Sequence, residues 1–218
     1  MMMSVTIASE AMLLCADKAL YWPRESCLFI ADIHFGKVAA FRAAGMPLPP
    51  GSTTAALLRL DKLIANTGAT RIVFLGDFLH SLRARASPTM DAFYRWRLTH
   101  RNIKITLVRG NHDKHAGDPP AGWHIETIDE GSVLGPFCLA HHPEPNAAGY
   151  VLAGHIHPAI RLKGAGKDTL RLACFWVGEQ VMVLPAFGEF TGTYVIKPSV
   201  KDRVFVAADE QLFEVKAG

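Results

Sequence analysis

Short apolar runs punctuate the chain at residues 12–15, 27–31, 71–75, 104–108, 137–140 and 150–153, rich in Leu, Ile, Val and Phe. Unbroken apolar character over four or five residues is what a strand buried on both faces requires, so each run predicts a strand. Helical spacing lies between them. Residues 52–66 bring Leu57, Leu60, Leu63 and Ile64 onto one face. Residues 37–44 are alanine-rich and stop at Gly45, a residue suited to ending a helix. Residues 89–100 follow a proline and offer Phe93, Trp96 and Leu98 for burial. This alternation of strand and helix predicts an α/β fold. From Val133 onward strand-like runs succeed one another at 169–177, 180–184, 193–196 and 203–207 with Gly and Pro between them, which predicts a second, largely antiparallel sheet. No repeat or long linker interrupts the pattern, so residues 1–218 read as one domain, with 113–122 as a mobile loop.

Polar residues at the ends of these runs carry the chemical signal. Asp32 and His34 follow the run at 27–31, Gly76-Asp77 the run at 71–75, and Gly110-Asn111-His112-Asp113 the run at 104–108. His141 follows 137–140, and Gly154-His155-Ile156-His157 follows 150–153. Ligands of α/β sheets bind beyond the carboxyl ends of the strands, so five such ends can converge on one site. If the chain stays extended, Asp32 and His34 point the same way and grip one ion. The glycines allow close backbone approach, and Asp77 is the natural carboxylate to bridge two cations. Mixed imidazole and carboxylate ligands suit Mn, Fe or Zn better than Ca or Mg. Any one of these short patterns is an ordinary turn elsewhere; their conjunction, in order and each after an apolar run, predicts a metal site.

Composition narrows the setting. The 218 residues are 50% apolar and 20% charged, enough to build a sizeable core. Lys and Arg exceed Asp and Glu by 23 to 20, a net +3 that permits an anionic partner without demanding one. Arg83, Arg85, Arg95, Arg97 and Arg101 are candidates for a basic face that holds nucleic-acid phosphates. Cys15, Cys27, Cys138 and Cys174 form no C-x-x-C pair, which argues against a zinc ribbon and for core cysteines. The start of the chain lacks the basic and apolar regions of a signal peptide, and no apolar run approaches the roughly 20 residues that span a bilayer. A cytoplasmic, reduced protein without a membrane association is expected, and the apolar C-terminal strands offer a surface for a homo-oligomer.

The blocks D-x-H, G-D, G-N-H-D, strand-end H and G-H-x-H together resemble the calcineurin-like metallophosphoesterase superfamily. Within it the chain is similar from end to end to the bacterial ligase-associated DNA-damage-response phosphoesterases, through residues 19–23, 31–37, 41–47, 76–81, 107–113 and 184–192. The resemblance implies a four-layer sandwich of two mixed sheets between helices. It implies one cation on Asp32, His34, Asp77 and His157 and a second on Asp77, Asn111, His141 and His155, with Mn foremost and Fe or Zn as alternatives. His112 would face the substrate phosphate and protonate the leaving oxygen, its tautomer set by Asp113; Asn111, His80 and Arg83 would lie on the substrate side. His80 stands where many superfamily members carry an acid. His141 and His142 are adjacent, and the x-Pro that follows points to His141 as the ligand.

The reaction implied is hydrolysis of a phosphodiester by a water activated between two cations. DNA is the implied substrate, in repair, with an ATP-dependent DNA ligase and a helicase as implied partners. A nucleotide or sugar-nucleotide phosphoesterase is the alternative within the enzymes. A non-catalytic binding module of a repair complex is the alternative outside them, disfavoured by the intact His112. A purely structural metal site is disfavoured because it needs only four ligands, usually with Cys.

Overall fold

In the computed structural model, residues 1–49, 51–82, 87–163 and 169–215 are described. The first sheet has the spatial order β1 (Met2–Ile7), β2 (Glu10–Cys15), β3 (Ala19–Trp22), β4 (Cys27–Ile30), β5 (Arg71–Leu75), β6 (Lys104–Val108) and β7 (Ile125–Ile128). β1 to β4 form an antiparallel meander, and β4 to β7 run parallel. Parallel neighbours need crossovers. α1 (Lys37–Ala43) and α2 (Ser52–Thr67) lie between β4 and β5, and α3 (Ser87–Thr99) lies between β5 and β6.

The second sheet contains β8 (Ser132–Leu134), β9 (Phe137–Leu139), β10 (Tyr150–Ala153), β11 (Pro158–Lys163), β12 (Thr169–Val177), β13 (Val181–Val183), β14 (Tyr194–Val195), β15 (Arg203–Ala208) and β16 (Gln211–Val215). Its order is β14-β11-β12-β13-β10-β9-β8, with β15 bound to β12 and β16 to β15. The expected, largely antiparallel pairing holds for β8–β9, β11–β12, β12–β13, β12–β15 and β15–β16, whereas β9–β10, β10–β13 and β11–β14 run parallel. Apolar runs carry no directional information, so the sequence pattern could not distinguish the two.

Strand alternation explains the layers. Leu28, Ile30, Ile72, Phe74, Ile105 and Leu107 pack against Leu57, Leu60 and Leu63 of α2 and Phe93 and Trp96 of α3. The intervening Cys27, Phe29, Val73, Leu75 and Val108 pack against Phe137, Leu139, Leu152, Phe175, Met182 and Phe205 of the second sheet. Both faces of β4 to β6 are therefore buried, which is why these strands read as continuous apolar runs. The result is the expected α/β architecture of two mixed sheets with flanking helices. The four cysteines are buried free thiols. Among the described residues no helix is long and apolar enough to cross a membrane.

A fourth helix, α4 (Asn111–Ala116), occupies part of the segment expected to be a mobile loop. Five polar residues and a single alanine give no apolar periodicity to read. The helix is fixed instead by Asp113, whose Oδ2 accepts the Gly110 N–H at 3.0 Å.

Candidate metal centre

The parallel strands decide where the polar residues meet. β4, β5 and β6 are neighbours, so the turns after them carry Asp32 with His34, Asp77, and Asn111 with His112 side by side. In the second sheet β9 and β10 are parallel neighbours, and the turns after them carry His141 and His155 with His157. Backbone hydrogen bonds join the turns. His34 N–H donates to the Asp77 carbonyl at 2.9 Å, Phe35 N–H to Phe78 at 2.8 Å, and Gly154 N–H to His141 at 3.1 Å.

The expectation that Asp32 and His34 point together from an extended segment is corrected by the backbone. Asp32, His34, Asp77, His155 and His157 have φ of 51°, 48°, 50°, 73° and 51°, all left-handed. Each such residue costs about 1–3 kcal/mol and persists only where its surroundings over-determine it. The convergence therefore comes from strained turns past the strand ends. Two glycines make room for it. A Cβ on Gly76 would collide with the His141 ring, and one on Gly154 would lie 2.5 Å from Asp32 Oδ2.

Two buried carboxylates lie at the centre. Asp32 Oδ2 accepts the His155 N–H at 2.9 Å, while its Oδ1 lies 3.6 Å from His157 Nε2 and 3.7 Å from His141 Nδ1. Asp77 Oδ1 accepts the His112 N–H at 3.0 Å and lies 3.4 Å from His141 Nε2; its Oδ2 lies 3.7 Å from His34 Nε2. Asn111 Oδ1 and His155 Nδ1 are 2.8 and 3.0 Å from His141 Nε2. Donor atoms of Asp32, His34 and His157 form one tight group, and those of Asp32, Asp77 and His141 another.

Asp32 Oδ1, both ring nitrogens of His34 and His157 Nε2 are buried without a hydrogen-bond partner among the described residues. Native proteins rarely leave such atoms unsatisfied. Burial holds His34 far below the usual histidine range and lowers His155 as well. Burial also opposes charge on His157, but the neighbouring Asp32 carboxylate raises it. Orphaned imidazole lone pairs beside buried carboxylates form a donor set that fits divalent transition metals.

His112 has a different environment. Its Nδ1 lies 2.8 Å from the His80 carbonyl oxygen, which makes Nδ1–H the donor and turns Nε2 toward Asp77 Oδ2 at 3.9 Å. The expected tautomer partner, Asp113, is not in that position. Its Oδ1 accepts the N–H groups of Phe78 and Leu79 at 3.0 and 3.1 Å, and its Oδ2 accepts that of Gly110. Burial pushes the Asp113 carboxyl up to about 6 despite these bonds. As the third residue of α4, Asp113 turns back toward the loop after β5 and braces it. The His80 ring stacks on His112 with centroids 5.1 Å apart, and burial lowers it to about 4.

His141 is fully buried among these groups, whereas His142 is half-buried, its ring centroid 4.4 Å from that of His155 and its Nδ1 on Glu130 at 2.9 Å. Glu130 also accepts the backbone N–H groups of His141 and His142 at 3.1 and 2.9 Å. Nothing in the sequence singles out Glu130, because its role depends on β8 folding beside β9. Arg83 and Arg85 lie outside the described residues. Arg97 does not join a basic face: it is buried and donates to the Trp123 and His100 carbonyls, tying α3 to the segment before β7. Arg95 and Arg101 are exposed.

Residues 26–134 match the calcineurin-like phosphoesterase family. The crystal structure of the Pseudomonas putida nuclease MPE is 43% identical, matching 99% of this chain and 100% of that one with a TM-score of 0.88. A protein of unknown function from Aquifex aeolicus is 18% identical, over 65% of this chain and 82% of that one, with a TM-score of 0.42. The E. coli phosphoesterase Yfce is 14% identical, over 88% and 99%, with a TM-score of 0.43. Those two are too distant to carry an argument. A search of curated proteins returns no match. On the family match and the 43% identity to a nuclease, the chain belongs to the calcineurin-like phosphoesterases and is a metal-dependent phosphoesterase.

Proposed function

We propose that the protein is a dinuclear-metal phosphodiesterase that cleaves nucleic acid, with DNA as the foremost substrate and Mn as the foremost metal. The observation that carries this reading is the orientation of Asp77, whose two oxygens face different imidazoles, His141 on one side and His34 on the other. A carboxylate so placed would serve two ions as a shared ligand. Asp32, His34, Asp77 and His157 would hold one ion; Asp77, Asn111, His141 and His155 would hold the other. The choice of His141 over His142 rests on its burial and its contacts with Asn111 and Asp77. Two such cations, when bound, supply an activated water and neutralise charge on the phosphate.

The chain's own residues contribute the rest. His112 keeps Nδ1–H on the His80 carbonyl, so Nε2 is free to carry a proton toward the departing oxygen. Asp113 holds the loop that carries Asp77 and the start of α4, which carries His112, at a fixed separation. His80 lines the same side and orients the substrate. The likeness to the P. putida nuclease supports a nucleic-acid substrate. A place in DNA repair, beside an ATP-dependent ligase and a helicase, rests on the stretches shared with the ligase-associated branch. All 218 residues would act as one unit, since the ligands come from both sheets.

Incubation of end-labelled single- and double-stranded DNA with Mn, beside a panel of simple diesters, nucleotides and sugar nucleotides, tests the proposal. Mn-dependent DNA cleavage that EDTA abolishes supports it. Turnover confined to nucleotides or sugar nucleotides would replace it with the alternative phosphoesterase, and full Mn loading without turnover would point to a binding module.

A further inference from the structure

A cavity of about 310 Å³ opens beside His157, lined by Lys18, Pro158, Ala173, Glu189, Phe190 and Thr193 among others. One wall is the loop after Phe187, which is pinned to the metal centre at both ends. Gly188 N–H donates to the Asp32 carbonyl at 3.0 Å, and the Gly192 carbonyl accepts Nδ1–H of His157 at 2.8 Å. The Arg59 guanidinium lies 3.8 Å from the Phe187 ring centroid and donates to the Phe187 carbonyl, which holds the loop's base. Between the two pins Phe190 stands 44% exposed with a left-handed φ of 56°. A bulky side chain in that conformation is strained. Burial does not explain it, because the ring faces solvent at the cavity rim.

From this arrangement we infer that the cavity is a nucleobase subsite, in which the base next to the scissile phosphate stacks on Phe190. The inference rests on the nucleic-acid reading above and names where the substrate strand lies. The lining suits the uncharged part of a nucleotide. It carries one basic and one acidic side chain, Lys18 and Glu189, which leave no net charge to oppose a neutral base, and its other walls are His157, Phe190, two threonines and small apolar residues. The phosphate then sits at the centre that His157 borders, and the base at the far end of the loop that His157 anchors. An exposed π-face accepts any base without reading its identity, but only an unpaired base can reach it. The subsite therefore selects single-stranded over duplex substrate and is indifferent to sequence.

The test uses the Mn-loaded full chain and oligodeoxynucleotides carrying one abasic position each, read out as KM and as cleavage at each phosphate. It also uses 2-aminopurine fluorescence in an oligonucleotide bound to metal-free protein. Phe190→Ala and Phe190→Leu should raise KM for single-stranded oligonucleotide by about 5- to 150-fold, the span of base–aromatic stacking, and Phe190→Trp should restore it. One abasic position should slow wild-type cleavage at the phosphate beside it by a similar factor, relative to the other phosphates of the strand, and add nothing further in Phe190→Ala. The 2-aminopurine signal should be quenched by wild type and not by Phe190→Leu. If the alanine and leucine variants fail to fold, the abasic series on wild type decides. Cleavage of oligonucleotides with no effect of Phe190 or of any abasic position overturns the subsite alone. Hydrolysis of simple diesters with no action on oligonucleotides overturns the nucleic-acid reading and the subsite together.

Discussion

Asp77 Oδ1 accepts the backbone N–H of His112 at 3.0 Å, while Asp77 Oδ2 lies 3.9 Å from the His112 ring Nε2. One carboxylate thus fixes the main chain of His112 and faces the end of its ring. The two residues are coupled through the backbone, and in the proposed function the His112 side chain is left for the substrate.

Removal of the His112 ring should therefore spare the metals. His112→Ala keeps the N–H that Asp77 uses, so elemental analysis should find wild-type metal content. Turnover should fall by about 10²- to 10⁴-fold, the usual contribution of a positioned acid or base. Loss of metal together with activity would assign His112 to the ligand set.

Gly154→Ala should damage the centre from behind. The added Cβ would lie 2.5 Å from Asp32 Oδ2 and 2.8 Å from the Ala31 Cβ, where nothing can move without disturbing the proposed ligand. We expect a stability loss of about 1–3 kcal/mol from overpacking, read by thermal denaturation, with reduced metal content. Wild-type melting and metal loading would show that the turn relaxes without cost.

Much of this architecture was readable in the residues. The runs at 71–75, 104–108 and 150–153 are strands with those bounds, because burial on both faces leaves an uninterrupted apolar signature. The ligand-type residues were legible because each follows such a strand. β1, β7, β8, β11 and β16 give no strand signal, because their segments mix polar and apolar residues without the compact apolar signature of the central strands; β3 is apolar throughout but its four residues lie between a turn and a proline and read as no element on their own. The helix at Asn111–Ala116 was missed because a side-chain cap, not periodicity, defines it. Glu130 and the Asp113 brace depend on contacts between distant turns, and no local pattern reports those.

Arg97 illustrates how a charge count misleads. Read as part of a basic face, its loss would weaken DNA binding and leave stability alone. Its guanidinium instead satisfies the Trp123 and His100 carbonyls. Arg97→Ala should cost about 1–3 kcal/mol in urea unfolding, since buried acceptors lose charged donors. The folded fraction should bind an oligonucleotide like wild type. Unchanged stability with weakened binding would restore the basic-face reading.

The buried thiols set an alkaline limit. Burial pushes Cys15, Cys27 and Cys174 from 9.0 up to about 12. Between those values the folded state holds protons that the unfolded chain releases, so stability is full below pH 9 and falls as pH rises toward 12. Each thiol should contribute about 1.4 kcal/mol per pH unit within that window. Urea unfolding at pH 8 and 10 should give a shallower decline for Cys174→Ala than for wild type. Identical slopes would mean that the thiol titrates in the folded protein as it does in the open chain.

The central claim is that two cations share Asp77. Equilibrium titration of Mn into metal-free protein, with bound Mn counted by elemental analysis, tests it most directly when wild type and Asp77→Ala are measured together. The account predicts about two Mn per wild-type chain and loss of both tight sites in the variant, because each proposed ion takes Asp77 as a ligand. A single Mn in wild type, or two retained in Asp77→Ala, would contradict it.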